Sequence, residues 1–251
     1  MRLLHTTDIH GDLYGLEETV DMAVASAPCL LALSGDVVEW PMRSLTNREW
    51  QPVLDALWRS SDRLAASGCT LATCSGNHDS WASLGKVPWH ASLRPGFIGD
   101  ALQPFRASHI VEVGDESAIV TCFPWRNDDG DDSSLSSLLD YAGAGKKLRD
   151  QNPNSLWVWL HHGPPRGTPV ATGAVDDGKQ AILEAARAYQ PSVVLCGHTH
   201  GSPWLGSPFW HDPNFGVLFS NPGRRQTGVS LSRIDIIAGA EPTYEWIPHV
   251  G

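Results

Sequence analysis

Residues 191–201 read PSVVLCGHTHG. A short apolar run closes on Cys196, and His198 and His200 follow one residue apart between Gly197 and Gly201. A run of this length bounded by turn residues predicts a buried strand. The histidine pair at its carboxyl end reads either as a surface turn or as a pair of ligands. What stands at the ends of the other strands decides between the two.

Working outward, strand-like runs recur at RLLHTT, CLLALS, CTLATC, SAIVTCF, SLWVWLH, GVLFS and VSLSRIDII. Residues 13–27 and 47–67 separate the first three, and their apolar positions fall at three- and four-residue spacing, which predicts amphipathic helices. The opening is therefore β-α-β-α-β, whose usual outcome is parallel strands with right-handed crossovers. Residues 128–150 predict an acidic loop and then a helix, and residues 176–190 a further helix. After His200 the chain is rich in strands and turns, and no helix is predicted.

The strand ends repeat one theme. The first run leads into DIHGD, with Asp8 and His10; the second into SGD, with Asp36; the third into SGNHD, with Asn77, His78 and Asp79; and SLWVWL into HHGPP, with His161 and His162. Ligands of open α/β sheets bind outside the carboxyl ends of the strands. Residues i and i+2 of an extended segment share a side, so Asp8 with His10, and His198 with His200, can face one cleft while Thr199 points away. Gly35, Gly76, Gly197 and Gly201 are expected to turn the chain without a Cβ to obstruct an ion. The 36 − 8 = 28 positions from Asp8 to Asp36 match the roughly thirty residues of a βαβ unit, which would bring the two carboxylates together. Carboxylate, amide and imidazole without thiolate suit Mn, Fe, Zn or Co. Seven such donors are too many for one ion and suffice for two divalent metal ions sharing a water.

The ordered series DIH, GD, GNHD, HHGPP and GHTH, from Asp8 to His200, resembles the signature of the calcineurin-like metallophosphoesterase superfamily. The resemblance implies an α/β/β/α sandwich of two mixed sheets flanked by helices, a dinuclear metal centre and hydrolysis of phosphate mono- or diesters. It implies that Asp8, His10, Asp36 and His200 hold one metal, and Asp36, Asn77, His162 and His198 the other. His162 is preferred to His161 because it lies two residues before Pro164. By the same resemblance His78 reaches the scissile phosphate as a general acid or transition-state donor. Asp79 either orients its ring or caps the following helix. GDVVEWP lacks the GDxVDRG pattern of protein Ser/Thr phosphatases, and GNHDS stands where they have GNHE, so a small phosphodiesterase-type member fits better. Loops after the motifs are expected to line the cleft, with Trp81 and Arg126 touching substrate and Trp40, Met42, Ser80, Trp125, Asn127, Arg166 and Trp204 nearby.

Composition limits the alternatives. The 251 residues are read as a single domain, residues 1–251, with no apolar stretch of membrane-spanning length. The first residues read as a strand rather than a signal peptide. Five cysteines without a C-x-x-C pair predict buried free thiols in a reducing cytoplasm. A formal net charge of −10 works against a sequence-independent grip on a nucleic-acid polymer and favours a small phosphate ester. Two alternatives carry forward: a non-catalytic protein-binding scaffold on the same fold, and a nuclease. His5, His90, His109, His211 and His249 lie in no motif and are assigned no role in the chemistry.

Overall fold

Strand β2 (Leu30–Ser34) shows why the apolar runs form a covered sheet: Leu31 and Leu33 pack toward helices, Leu30 and Ala32 toward a second sheet, and no residue of the strand meets solvent. In this computed structural model, residues 1–38, 47–81, 96–100, 104–125, 131–173, 178–224, 228–237 and 240–250 are described. β2 pairs in parallel with β1 (Arg2–Thr6) and β3 (Thr70–Cys74), through the crossover helices α1 (Leu13–Ala25) and α2 (Asn47–Ala66). Asp12 caps α1 by accepting from the Gly15 N–H. The short β4 (Phe97–Ile98) extends the sheet at one side. Antiparallel β11 (Val229–Asp235) and β12 (Thr243–Val250) complete the order β12-β11-β1-β2-β3-β4.

The second sheet has the order β5-β6-β7-β8-β10-β9. Its strands are β5 (Ser108–Val113), β6 (Glu116–Cys122), β7 (Leu156–Leu160), β8 (Val193–Leu195), β9 (Phe209–His211) and β10 (Leu218–Ser220). β6, β7, β8 and β10 run parallel, and β5 and β9 pair antiparallel at the edges. Val158 and Leu160 of β7 meet the first sheet, whereas Trp157 and Trp159 pack against α4 (Asp131–Gln151) and α5 (Gln180–Tyr189). The layers are thus helix, sheet, sheet, helix, as the resemblance implies.

Four strands escape the apolar-run reading: β4, β5, β9 and β12. β5 alternates buried and more exposed positions, as an edge strand does, and β12 carries Pro248, which an outer strand tolerates. The expectation of no helix after His200 is also corrected. Ser202–Leu205 forms one turn, α6, started by Pro203 and too short to show a periodicity. All five cysteines are free and buried, and Cys74 packs between the sheets. No helix among the described residues is long and apolar enough to cross a membrane.

Candidate metal centre

The centre lies where the carboxyl ends of both sheets meet, and left-handed backbone builds it. Among the described residues, five non-glycine residues have positive φ, and four are Asp8 (55°), His10 (48°), Asp36 (51°) and His198 (68°). This corrects the expectation that strand alternation aims the pairs: the chain has left the strands and coils. Residues in this region cost energy unless their surroundings over-determine them. Here the loop after β1 is laced to the loop after β2, with the N–H groups of Asp8, His10 and Gly11 donating to the carbonyls of Gly35, Asp36 and Val37 at 3.1, 2.8 and 2.9 Å. The two carboxylates are thereby set side by side and buried.

Two of the glycines make room for neighbouring side chains: a Cβ at Gly76 would stand 2.2 Å from Asp36 Oδ1, and one at Gly197 would stand 1.8 Å from Thr7 Oγ1 and 2.8 Å from Asp8 Oδ2. Gly201 has ordinary helical backbone, contrary to the expectation of a sharp turn there.

Three sets of ligating atoms each lie within 4.8 Å of one another: Asp8, His10 and His200; Asp36, His162 and His198; and His10, Asp36 and His78. In the first set His200 Nε2 is 3.1 Å from Asp8 Oδ1 and 3.3 Å from His10 Nε2. In the second, Asp36 Oδ2 is 3.2 Å from His162 Nε2. Asn77 Oδ1 stands 3.0 Å from His162 Nε2 and 2.9 Å from His198 Nδ1. His162 directs Nδ1 at the Ser34 carbonyl, 2.7 Å away, which fixes the ring and turns Nε2 to the centre. His161 instead turns Nδ1 to the Gly163 carbonyl and joins no set.

Charge and burial act together here. Burial raises the Asp8 carboxyl, but His200, His10 and His162 outweigh it and hold Asp8 well below the usual range. Burial likewise raises Asp36, and His162 outweighs it, so Asp36 is lowered. His162, which burial alone would depress, is carried up to about 9 by Asp36 and Asp8. The charge of Asp8 lifts His200 against its burial, and Arg224 opposes that rise.

His78 is half-buried at the rim; its backbone N–H donates to Asp36 Oδ1 at 2.8 Å, and its Nε2 is 3.9 Å from Asp36 Oδ2. Burial lowers its pKa, against the raising charge of Asp36. Asp79 is wholly buried and accepts from the N–H groups of Val37, Val38 and Gly76 at 3.0, 3.2 and 2.9 Å, so it clamps the loop after β2 to the loop after β3. Its own burial, beside the charge of Asp36, pushes its carboxyl well above the usual range.

Of the expected cleft residues, Trp125 stands 5.4 Å from the His162 ring and 5.3 Å from the His198 ring, centroid to centroid. Arg126, Trp40, Met42 and Asn127 lie outside the described residues, as do the side chains of Ser80 and Trp81. Arg166 reaches back to the Gly178 carbonyl, and Trp204 packs on Trp246. His5 is core, bonded to Ser34 and Ser220. His211 is exposed and bonds Tyr244; His90 lies outside the described residues.

One buried residue that supports the centre is missing from the sequence reading. Asn221 is fully buried after β10 and donates to the carbonyls of Val170 and Gly197 and to Thr199 Oγ1 at 2.9, 3.1 and 2.9 Å. It braces the histidine turn from behind. Its signal was SNPG at the end of the GVLFS run, a strand end like those that carry the ligands.

The model of the calcineurin-like phosphoesterases matches residues 1–202, and the chain belongs to that family. Membership makes metal-dependent hydrolysis of phosphoesters its class of activity, and the Asp and His clusters are able to hold metal. The TT1561 protein of Thermus thermophilus shares the fold with a TM-score of 0.60 and 16% identity over 97% of each chain. A Staphylococcus aureus protein assigned as a 5′-nucleotidase matches with a TM-score of 0.54 and 12% identity; the match covers 100% of this chain and 55% of that one. At these identities the likeness is one of fold. No curated protein matches the sequence.

Proposed function

We propose that the protein hydrolyses small phosphate mono- or diesters at a dinuclear metal centre. The observation that carries this reading is the convergence of two buried carboxylates, Asp8 and Asp36, with His10, His162, His198, His200 and the Asn77 amide at the seam between the sheets. The donors fit divalent ions of the Mn, Fe, Zn or Co kind. Two atoms binding one ion at about 2.1 Å and at right angles stand about 3 Å apart, which is the spacing of His200 from Asp8 and of Asp36 from His162. The facing ring nitrogens of His10 and His200 support it too, since two lone pairs repel unless a proton or a cation lies between them.

In this reading Asp8, His10, Asp36 and His200 would hold one ion, and Asp36, Asn77, His162 and His198 the other. When bound, the two ions supply Lewis acidity to the phosphoryl oxygens and acidify the attacking water. The chain's own residues do the rest. His78, at the rim, hands a proton to the leaving oxygen. Asp79 is a positioning residue that locks the two loops carrying Asp36 and Asn77. Trp81, two residues after the GNHD block, and Arg126, four residues after β6, are assigned the substrate's organic part and an outer oxygen. The five reduced, buried thiols suit a cytoplasmic location.

The test is a panel of aryl monoesters, aryl diesters and cyclic nucleotides assayed with each metal, alongside elemental analysis. Metal-dependent turnover of at least one ester, abolished by a chelator, is expected. A folded protein that retains no metal on reconstitution would be a scaffold instead. Two bound metals with no turnover on the whole panel would refute the hydrolase reading.

A further inference from the structure

Arg224 stands outside every motif considered above. It follows the Asn221 turn, and its backbone N–H donates to the His200 carbonyl at 3.0 Å. Gly223 before it, at φ 65°, packs so closely that a Cβ would stand 2.4 Å from that same carbonyl. Asn221 fixes the turn from within by accepting from the Gly223 N–H at 2.9 Å. Arg224 therefore begins one backbone hydrogen bond from a candidate ligand, His200, whose side chain is 46% exposed.

The Arg224 Nε is out of solvent and meets no hydrogen-bond partner among the described residues. An unpaired buried donor on a charged group is costly, and such groups call for an explanation, an absent ligand among them. The charge of Arg224 is felt at the His200 ring. Guanidinium is the side-chain group that best matches phosphate oxygens.

We infer that Arg224 is a specificity-determining residue that binds a terminal oxygen of the substrate phosphoryl group on the His200 side of the centre. It thereby favours phosphomonoesters over diesters. The inference rests on the hydrolase reading above. If two ions engage two terminal oxygens, a monoester dianion keeps a third for Arg224. A diester has spent that oxygen on its second ester bond and carries one charge fewer.

The experiment uses the Mn²⁺-loaded protein and its Arg224→Gln and Arg224→Lys variants, both long enough to fill the same space. It measures kcat/KM on an aryl monoester and the matching aryl diester, the affinity for inorganic phosphate by calorimetry, metal content and Tm. Arg224→Gln is expected to lower monoester kcat/KM and phosphate affinity by about 10- to 100-fold and diester kcat/KM by less than about 3-fold, with metal content unchanged. Arg224→Lys falls between, because it keeps the charge and loses the fork. Equal losses on both esters, unchanged phosphate affinity, or loss of metal would overturn the inference; the last would mean that Arg224 acts by holding His200. If the Gln variant does not fold, the Lys variant decides by the same criteria. If the parent cleaves no ester of the panel above, the hydrolase reading fails, and phosphate affinity still judges Arg224 separately.

Discussion

The loops of the two sheets contribute opposite chemistry to the seam. Those of the first sheet bring Asp8, His10, Asp36 and Asn77, with three of the four in left-handed backbone; those of the second bring His162, His198 and His200, with only His198 so held. One side gathers the negative charge and most of the strain, the other three of the four imidazoles named. The carboxylates are lowered because the imidazoles face them, and His162 rises to about 9 for the same reason. His161, one residue away, faces a carbonyl instead, and burial takes it down to about 4. The difference teaches that the centre belongs to the seam: burial alone would neutralise either half, and the opposed halves keep Asp8, Asp36 and His162 charged.

The sharpest way to break that picture is at the residue facing both metal sets. Asp36→Asn keeps the shape and an acceptor for the His78 N–H but removes the charge; turnover should fall to background, and metal content should drop for both ions. Near-parental turnover would end the dinuclear reading. On the opposite side, His198→Ala and His200→Ala should each cut the metal stoichiometry from two towards one, because the two rings belong to different sets. Full occupancy in both variants, by elemental analysis, would return the turn to an ordinary surface feature.

A smaller loss is expected where a residue serves the reaction without holding metal. His78→Ala should keep its metal while kcat falls by roughly 10²–10⁴, the range for a lost general acid. The loss should grow with the basicity of the leaving group. A uniform loss would make His78 an electrostatic donor, and a loss of metal would make it a ligand, which its place beside His10 and Asp36 makes a fair challenge.

Much of this was legible because function sits at strand ends, and the strand ends are marked by glycines and by polar residues after apolar runs. DIH, GD, GNHD, HHGPP and GHTH were readable for that reason, as were the buried central strands. The left-handed turns were not, since Asp, Asn and His tolerate that conformation without announcing it. Asn221 was missed because its role is to satisfy backbone carbonyls brought near by the fold, and no local pattern records them. Edge strands β5 and β12 were missed for lack of two apolar faces.

Away from the centre, two buried neutral histidines on opposite sheets give a pH test of the packing. His5 and His161 are lowered by burial to about 3 and about 4. The unfolded chain takes up protons near pH 6.5 that the folded chain refuses, so stability is full above that pH and is lost as pH falls through the window towards 4 and 3. Each proton costs about 1.4 kcal/mol per pH unit inside the window. His5→Gln, if folded, should flatten the slope of unfolding free energy against pH between about 6 and 5 by close to one proton. An unchanged slope would mean that His5 titrates normally in the fold.

The smallest effect should fall between the two candidate ligand histidines, His198 and His200. Thr199 is buried, and its hydroxyl lies 3.2 Å from the Val170 carbonyl, 2.7 Å from Ser202 Oγ and 2.9 Å from the Asn221 amide. Its partners lie away from the candidate ligands, in packing rather than solvent. Removing it leaves Asn221 its bonds to the Val170 and Gly197 carbonyls. Thr199→Ala should therefore cost about 1 kcal/mol of stability, the net worth of an ordinary hydrogen bond, and leave metal stoichiometry and turnover near those of the parent. The contrast with its neighbours is the informative part. If Thr199→Ala lost metal as His198→Ala does, the brace behind the turn would be setting ligand geometry, and the second sheet's side of the seam would be as finely held as the first.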